Sequence, residues 1–332
     1  MKKSSAESAN GVAVRSRAKK LLSGGKNRSL LRKIVRDRWL YLLIAPAVVY
    51  LFIFNYIPMY GVIIAFKDYN SIQGIWGSPW AEPFYQHFVS FVTYSDFWLI
   101  LRNTFFTSFW SIIVSAPTPI ILALMINEVH SKSFRKVIQT ISYAPYFVSV
   151  VVVVGMCENF TNLENGIVNK FLTAFGMDKI SYLSDESWFL PVYLISSLWQ
   201  GLGWWAIIYI GTLANCDPDL HEAAKIDGAN RFQRIIHINL PAIIPIATIS
   251  FILSVGNLMS VGFEKIYLMQ SDLNLPRTEV ISTYVYKRTF GAKGFKPYSY
   301  GAAVGLFNTA VNLILLFFAN FVSKKVGGET VV

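Results

Sequence analysis

The chain has 332 residues, of which 54% are hydrophobic, 15% aromatic and only 15% charged. This composition excludes an ordinary soluble domain, because such a domain needs a larger share of charged side chains on its surface. The formal net charge of +11 comes almost entirely from residues 1–38, which carry twelve Lys and Arg against Glu7 and Asp37.

The basic segment 1–38 is predicted to be a cytoplasmic tail. Lys and Arg collect on the cytoplasmic side of a membrane span, and this segment has none of the interleaved aromatic residues that would favour nucleic acid as a partner. Leu30, Leu31, Ile34 and Val35 fall on one helical face, which is typical of a short helix lying against lipid headgroups. The apolar run that follows is too long for a cleaved signal peptide, so it is expected to remain in the membrane.

Six apolar runs are long enough to cross a bilayer, which takes ~20 residues each. They predict an all-α membrane protein with six transmembrane helices over residues 40–65, 103–126, 137–157, 188–213, 242–262 and 300–322. None of these runs contains Asp, Glu, Lys, Arg or His, which argues against an ion-coupled carrier. The sequence also has no phosphate-binding loop of the pattern G-x-x-x-x-G-K-[ST], so this chain is not expected to hydrolyse ATP itself.

The charges of the loops predict the orientation of these spans. Loop 127–136 is basic, as an inner loop should be, loop 158–187 is mainly acidic and external, and loop 214–241 is internal, which places both termini in the cytoplasm. One loop departs from the rule, because segment 263–299 is predicted to be external yet holds six Lys and Arg, Lys265 among them, against three acidic residues. On this topology Cys157 and Cys216 lie on opposite sides, which excludes a disulfide between them, and neither has metal-ligand spacing.

The polar loop 214–241 carries a series of helix start and stop signals. Asp217 is placed to cap a short helix that has Pro218 at its first position. Asp227 and Gly228 mark a tight turn, Asn230 can cap a second helix, and Pro241 is expected to open the fifth span. The loop is therefore predicted to form a helix-turn-helix knob that projects from the membrane.

The residues of this loop also resemble a family motif. Glu222-Ala223-Ala224, followed by Gly228 and then by Ile238-x-Leu240-Pro241, resembles the EAA loop of permease subunits from binding-protein-dependent ABC importers. The resemblance implies the type I ABC importer permease fold, with the loop as a coupling helix that docks on a cytoplasmic ATPase. The coupling residues that it implies are Glu222, Ala223, Ala224, Asp227, Gly228, Ala229, Leu240 and Pro241.

The resemblance further implies the assembly in which the chain works. The expected partners are a second, homologous permease subunit, two ATPase subunits that bind ATP and Mg, and an extracytoplasmic solute-binding protein, while this chain holds no cofactor. Two copies of one permease are the alternative assembly. The implied location is the bacterial cell membrane, with a permease domain over residues 39–325 and a short cytoplasmic tail over residues 326–332.

The external regions point to the class of solute. Phe97-Trp98 with Asn103-Thr104 resembles the family's entry into its second helix. The segment 279–288 resembles an amphipathic element before the last helix of oligosaccharide-type permeases. The chain is thus similar to permeases for complex oligosaccharides and polysaccharides, the alginate importer among them. The resemblance to maltose-type permeases places Trp199, Gln200, Gly201, Trp204 and Asn257 at the sugar site. Amides and indole rings suit sugar hydroxyls and C–H faces without placing a charge in the membrane.

Other interpretations of these residues remain open. Small residues and buried amides also join helices in membranes, and Asn308 and Asn312 in the last span are interpreted in that way. A non-sugar solute is an alternative for the same fold. An ion-coupled secondary transporter, with sodium sites made of carbonyls and hydroxyls, and a membrane glycan enzyme are alternatives for the whole chain. Such an enzyme needs a carboxylate or histidine cluster, whereas all four histidines lie in predicted loops, so no catalytic residue is expected.

Overall fold

The computed structural model describes residues 36–291, 298–326 and 330. Within these residues the secondary structure is helical, apart from an isolated antiparallel bridge between Lys67 and Trp80. The helical class predicted from the sequence is therefore confirmed. The predicted interfacial helix around residues 30–35 lies outside the described residues. The chain divides into two compact units, Met1–Val62 and Ile63–Val332, so the predicted domain limits at residues 39 and 325 stay a prediction.

The described part of the first unit is a helical run with little regular packing of its own. Helix α1 spans Arg38–Leu51 and is followed by a π turn, Phe52–Tyr56, and a short helical turn, Ile57–Met59. The run then continues as the 3₁₀ turn Tyr60–Phe66 into the second unit. Arg38–Phe66 is long and apolar enough to cross a membrane, as predicted for residues 40–65.

The second unit contains the remaining helices. Their bounds are α2 Gln86–Val92, α3 Phe97–Ser115, α4 Pro117–Asn127, α5 Lys132–Tyr143, α6 Val150–Thr161, α7 Ile167–Ala174, α8 Phe189–Ala214, α9 Pro218–Ile226, α10 Arg231–Arg234, α11 Leu240–Gly256, α12 Phe263–Met269, α13 Ile281–Phe290 and α14 Tyr298–Val326. Shorter elements are the helical turns Gly74–Gly77 and Leu275–Thr278, the 3₁₀ turn Ala144–Phe147 and the π turn Ile235–Asn239.

Four helical runs in the described part of the chain meet the length and hydropathy expected of a membrane span. They are Arg38–Phe66, Phe97–Asn127, Arg231–Gly256 and Tyr298–Lys325. The second span was predicted to begin at residue 103, six residues later than the observed start at Phe97. The fifth span was predicted to end at residue 262, whereas its helix ends at Gly256. The C-terminal cap of this helix is Asn257, whose side-chain amide donates to the Leu253 carbonyl while its backbone amide donates to the Ser254 carbonyl.

The third predicted span, residues 137–157, is wrong as a single helix. Lys132–Phe147 and Val150–Thr161 meet at an angle of 98°. The break follows Pro145, where the backbone turns extended at Val148, and Ser149 then caps α6 by accepting a hydrogen bond from the Val152 amide. If this bent pair counts as one span, the described residues hold five.

The fourth predicted span, residues 188–213, is a helix within one residue of that prediction. Helix α8 has 26 residues, which gives a length of ~39 Å at 1.5 Å per residue, and it contains no charged residue. It is nevertheless not among the runs apolar enough to count as spans, since Trp, Tyr, Ser, Gly and Gln make up much of it. A count of six spans therefore stays a prediction.

Two prolines are accommodated in these helical runs by π turns. The π turn Phe52–Tyr56 precedes Pro58, and the π turn Ile235–Asn239 precedes Pro241. Proline lacks an N–H and its ring collides with the carbonyl one turn earlier, and a π turn widens the helix at that point. Pro241 lies in the first turn of α11, where it was expected to open the fifth span, although the helical run that could span the membrane begins earlier, at Arg231.

Helix α8 contributes to two of the three hydrophobic cores of the second unit. One core joins Ala123 of α4, Ala206 and Tyr209 of α8 and Ile243 of α11. Another joins α6, α8 and α12 through Val154, Phe189, Tyr193, Ile266 and Met269. The third joins α2, α3, α13 and α14, and in it the hydroxyls of Tyr284 and Tyr300 are 2.7 Å apart.

The start of α3 and the predicted amphipathic segment before the last span contact each other. The Asn103 amide donates to the carbonyls of Pro276 and Glu279, at 3.0 and 3.2 Å. The Thr104 hydroxyl accepts from the Ile281 amide at 3.0 Å and so holds the first turn of α13. Polar side chains near the start of α3 thus fix the predicted amphipathic element, observed as α13, against the bundle.

The approach of α8 to α5 predicts a strict requirement for glycine at position 203. A Cβ atom on Gly203 would overlap the carbonyl oxygen of Ser142, so Gly203→Ala should lower the melting temperature of the purified chain and its yield in membranes, at a cost of roughly 1–3 kcal/mol. The matched control is Gly211→Ala in the same helix, where nothing lies within 4 Å. It should be neutral or stabilising, since alanine favours a helix by about 1 kcal/mol. Equal effects of the two changes would contradict this packing.

Candidate functional site

The knob predicted for residues 214–241 forms as two capped helices. Asp217 caps α9 by accepting a hydrogen bond from the Asp219 amide at 2.9 Å, and Pro218 occupies the first position. Asn230 caps α10 through a capping box, in which Asn230 and Gln233 each accept a hydrogen bond from the other's backbone amide. Both cap predictions are confirmed.

The turn between the two helices is a Schellman motif. The Gly228 amide donates to the Lys225 carbonyl at 3.1 Å, and the Ala229 amide donates to the Ala224 carbonyl at 2.8 Å. Gly228 has φ +80°, a conformation that glycine adopts without the strain that a side chain brings. These bonds satisfy the last carbonyls of α9 and fix its direction relative to α10.

Three large apolar side chains of the knob are exposed. Leu220, Ile226 and Phe232 are exposed, Ile226 at 86% of its surface, and Glu222 is exposed beside them. A notch of about 320 Å³ lies between the helices and is lined by Ala224, Gly228, Ala229, Arg234 and His237, among others. An exposed apolar patch with a polar rim is typical of a protein interaction site.

A second candidate site is a wide groove of about 900 Å³ in the second unit. The junction of α3 and α4 contributes Ser115 and Ile120, α8 contributes Trp205 and Tyr209, and α11 and its end contribute residues from Ile244 to Asn257. Most of the lining is apolar, with hydroxyls at intervals and the Asn257 amide at the end of α11. The groove therefore offers an apolar wall with few polar contacts.

A smaller cavity of about 190 Å³ adjoins the groove. Ser115 and Trp205 line both spaces. The remaining lining includes Ser111 of α3 and Tyr193, Ser197 and Gly201 of α8. This cavity is consequently richer in hydroxyl groups than the groove.

The structure does not bring the five predicted sugar-site residues together. Asn257 lines the groove, Gly201 lines the smaller cavity, and Trp199 lines a separate apolar cavity of about 440 Å³ between α6 and α8. Gln200 and Trp204 instead face the break between α5 and α6. Their roles in sugar binding stay predictions.

Gln200 and Trp204 both make contacts that support this break. The Gln200 amide donates to the Val148 carbonyl at 2.9 Å, which satisfies a group left free where the helix is interrupted. The Trp204 ring stacks on Tyr146, with ring centroids 4.4 Å apart and planes 4° apart. These are the packing contacts that the sequence left open as an alternative.

Trp205 is a candidate residue that the sequence-based site omitted. It lies at the boundary of the groove and the smaller cavity and is exposed. The signal was available, because Trp205 is four residues after Gly201 and so shares its helical face.

Lys265 was counted among loop charges, yet it is buried. Only 6% of Lys265 is exposed, and its ammonium donates to the Ser197 hydroxyl at 3.1 Å. Burial lowers the pKa of Lys265 from 10.5 to about 8, against a smaller opposing effect of the Cys157 thiol. The apolar residues around it in α12, which pack into the core with α8, were the signal that the sequence analysis missed.

These features define an integral membrane transport subunit, with apolar helices around a groove and a helical knob outside the bundle. The model of a family described as "Binding-protein-dependent transport system inner membrane component" matches residues 115–328. The chain belongs to this family of ABC transporter permeases.

Two curated relatives from Bacillus subtilis (strain 168) align along nearly the whole chain. Protein LplB is 41% identical over 311 residues, which cover 93% of this chain and 96% of that protein. The polygalacturonan/rhamnogalacturonan transport system permease protein YteP is 40% identical over 304 residues, which cover 92% and 93%.

Two solved structures have the same fold. One is a bacterial ABC transporter involved in the import of the acidic polysaccharide alginate, with a TM-score of 0.79 and 36% identity over 90% of this chain and 99% of that chain. The other is a bacterial alginate ABC transporter in complex with a periplasmic protein that carries an alginate pentasaccharide, with the same TM-score and identity over 91% and 99%. The type I permease fold implied by the EAA-like loop is thus supported by structure as well as sequence.

The buried ammonium predicts a pH dependence of stability. Below pH 8 both folded and unfolded chains carry the charge, so its burial cost is fully present. As pH rises above the folded pKa of about 8, the folded chain releases the proton while the unfolded chain keeps it up to 10.5, so stability rises with pH. The gain should approach roughly 3 kcal/mol across this window.

The measurement is the melting temperature of the purified chain in detergent between pH 7 and about 10.5, for wild type and for Lys265→Met. The difference between the two should shrink as pH rises, because the variant lacks the buried charge. Parallel curves would show that the Lys265 ammonium is not penalised in the folded chain.

Proposed function

We propose that this chain is one permease subunit of an ATP-driven importer for an oligosaccharide or a polysaccharide. The observation that carries the proposal is the match over about nine-tenths of the chain to the permease of an alginate importer, together with the capped knob at the EAA-like residues. The proposed chain crosses the membrane six times, with α8 and the bent pair of α5 and α6 as two crossings and with both termini in the cytoplasm.

The knob is proposed to be the contact through which ATP hydrolysis drives transport. Its exposed Leu220, Ile226 and Phe232 would fill a groove on a cytoplasmic ATPase, and Glu222 would meet a basic residue there. Leu240 and Pro241 stand at the base of the knob, beyond the π turn, so a movement of α9 and α10 passes directly into α11. The ATPase, rather than this chain, would bind ATP and Mg.

The groove is proposed to be this chain's half of the translocation path. A second, homologous permease would supply the other half, and an extracytoplasmic binding protein would deliver the glycan. A structural neighbour, the alginate ABC transporter, was solved in complex with a periplasmic protein that carries an alginate pentasaccharide. Alternating access would be a rigid-body movement of the two permeases. Trp205 offers a ring face to the sugar and Asn257 an amide.

The experiment that tests this function is purification of the tagged chain from its native membrane with identification of the proteins that accompany it. An ATPase and a second permease should co-purify, and the reconstituted complex should hydrolyse ATP faster when binding protein and glycan are present. If no ATPase accompanies the chain, the proposal fails.

The Schellman turn gives a test of coupling. Gly228→Val should insert normally but lose glycan-stimulated ATP hydrolysis, because a side chain in the left-handed conformation costs roughly 1–2 kcal/mol and redirects α10. Nothing lies within 4 Å of a Cβ at this position, so the effect is one of backbone strain and not of collision.

The matched control is Gly228→Asn, because asparagine tolerates the left-handed conformation. It should retain most of the stimulation, measured in the same vesicles and normalised to the amount of assembled complex. Full stimulation in Gly228→Val would show that the turn does not couple.

The groove gives a separate test of the path. Trp205→Ala and Asn257→Ala should each lower glycan uptake per assembled complex about fivefold or more, the effect of losing roughly 1 kcal/mol of binding. Assembly with the ATPase should be unchanged. Trp110→Ala is the control, since Trp110 is an exposed tryptophan of α3 that does not line the groove. Normal uptake with impaired assembly would assign both residues to packing instead.

A further inference from the structure

Lys265 is one of two lysines in the described residues that are only 6% exposed. The ammonium of the other, Lys67, donates to the carbonyls of Ile75 and Ser78, whereas Lys265 has no carbonyl or carboxylate partner among these residues. The Lys265 ammonium contacts neutral groups, with the Ser197 hydroxyl at 3.1 Å and the Tyr193 ring centroid at 6.0 Å. The ion pairs formed within residues 36–291 and 298–326 do not include it. Removing a cation from water is costly unless an opposite charge accompanies it, so this position is not explained by packing alone.

The ammonium lies one hydroxyl away from the proposed path. Ser197, which accepts its hydrogen bond, lines the smaller cavity. That cavity shares Ser115 and Trp205 with the groove. A group that enters from the groove past Trp205 therefore reaches Ser197, and the ammonium, which does not itself line either space, lies directly behind that hydroxyl.

The chemistry of this wall suits a carboxylate. An ammonium has three donors, and among the described residues only the one directed at Ser197 has a hydrogen-bond acceptor. The hydroxyls of Ser111, Ser115 and Tyr193 stand on the same cavity or beside it and can bond to the second carboxylate oxygen or to sugar hydroxyls. An Asp or Glu of the protein would neutralise the cation permanently. The carboxylate of a transported sugar would neutralise it only while the sugar is bound.

We propose that Lys265 and Ser197 form a binding site for the carboxylate of a uronic-acid sugar, and that this site selects acidic over neutral glycans during passage. The proposal rests on the proposed function and narrows its substrate class. It agrees with the acidic polysaccharide named for the structural neighbour, but its warrant is the unpaired cation beside the cavity.

The test compares two probes in cells or vesicles that contain the whole transporter. Trigalacturonate carries the carboxylates, and its methyl ester is a neutral analogue of nearly the same shape. Uptake of each probe by a variant is divided by its uptake in wild type, so that selection by the binding protein cancels. Lys265→Met should reduce the trigalacturonate ratio about tenfold, which corresponds to a loss of roughly 1.4 kcal/mol in the free energy of binding the acid. The ester ratio should stay near one.

Two further variants separate charge from packing. Lys265→Arg keeps the positive charge and should retain most of the preference for trigalacturonate. Lys179→Met removes an exposed lysine that is paired with Glu164, and it should alter neither ratio. Equal losses for both probes in Lys265→Met would assign Lys265 to structure, and unchanged ratios would show that the site is not used. Either result overturns the proposal.

If the binding protein does not deliver the ester, its uptake cannot be measured, and a direct binding measurement replaces the uptake assay. The purified complex in detergent is titrated with each probe, without binding protein, and its tryptophan fluorescence is followed, since Trp205 lines the cavity. Trigalacturonate should bind wild type more tightly than it binds Lys265→Met, and the ester should not distinguish them. If an ATPase co-purifies but the acid and the ester bind wild type equally, this inference fails while the proposed function stands. If no ATPase co-purifies, both fail.

Discussion

The close approach of α8 to the break between α5 and α6 is the constraint on which the second unit depends. Gly203 lets the two backbones meet at Ser142, the Gln200 amide satisfies the carbonyl freed at Val148, and Trp204 stacks on Tyr146. With one face of α8 committed to this junction, its other faces are left for the core with α4 and α11 and for the cavity at Gly201 and Trp205. The groove has its shape because α8 is fixed in this rotation.

The shape of the knob is set by local hydrogen bonds and backbone conformation. Side-chain caps at Asp217 and Asn230 and a positive φ at Gly228 fix two short helices without burying any of their residues. Such a segment keeps its direction while its apolar residues stay exposed to a partner. Continuity of α10, the π turn and α11 then joins the proposed ATPase contact to the wall of the proposed path, so that one rigid element serves both.

Ionisable side chains are rare in the helical runs that are long and apolar enough to span a membrane. Lys265 is a buried ammonium that donates to a residue lining the smaller cavity. Amides, hydroxyls and indole rings bind sugars weakly enough to release them, whereas a buried cation adds selectivity for an acid. The proposed path thus combines a weakly binding groove with one charged point beside it, which suits transport of a glycan rather than its retention.

The sequence by itself determined the helical class, the caps and turn of the knob, and the family, because these depend on local backbone chemistry and on short motifs such as Glu222-Ala223-Ala224 and Gly228. It also placed α8 to within one residue. Only the tertiary structure decided that residues 137–157 bend by 98°, that Gln200 and Trp204 support this bend, and that Lys265 is buried against Ser197. Hydropathy reports how apolar a segment is and not which neighbour each side chain meets. The partner of an amide, an indole or an ammonium is set by helix rotation and contact across the fold, and for these residues by contacts between positions about 50 to 70 apart in the chain.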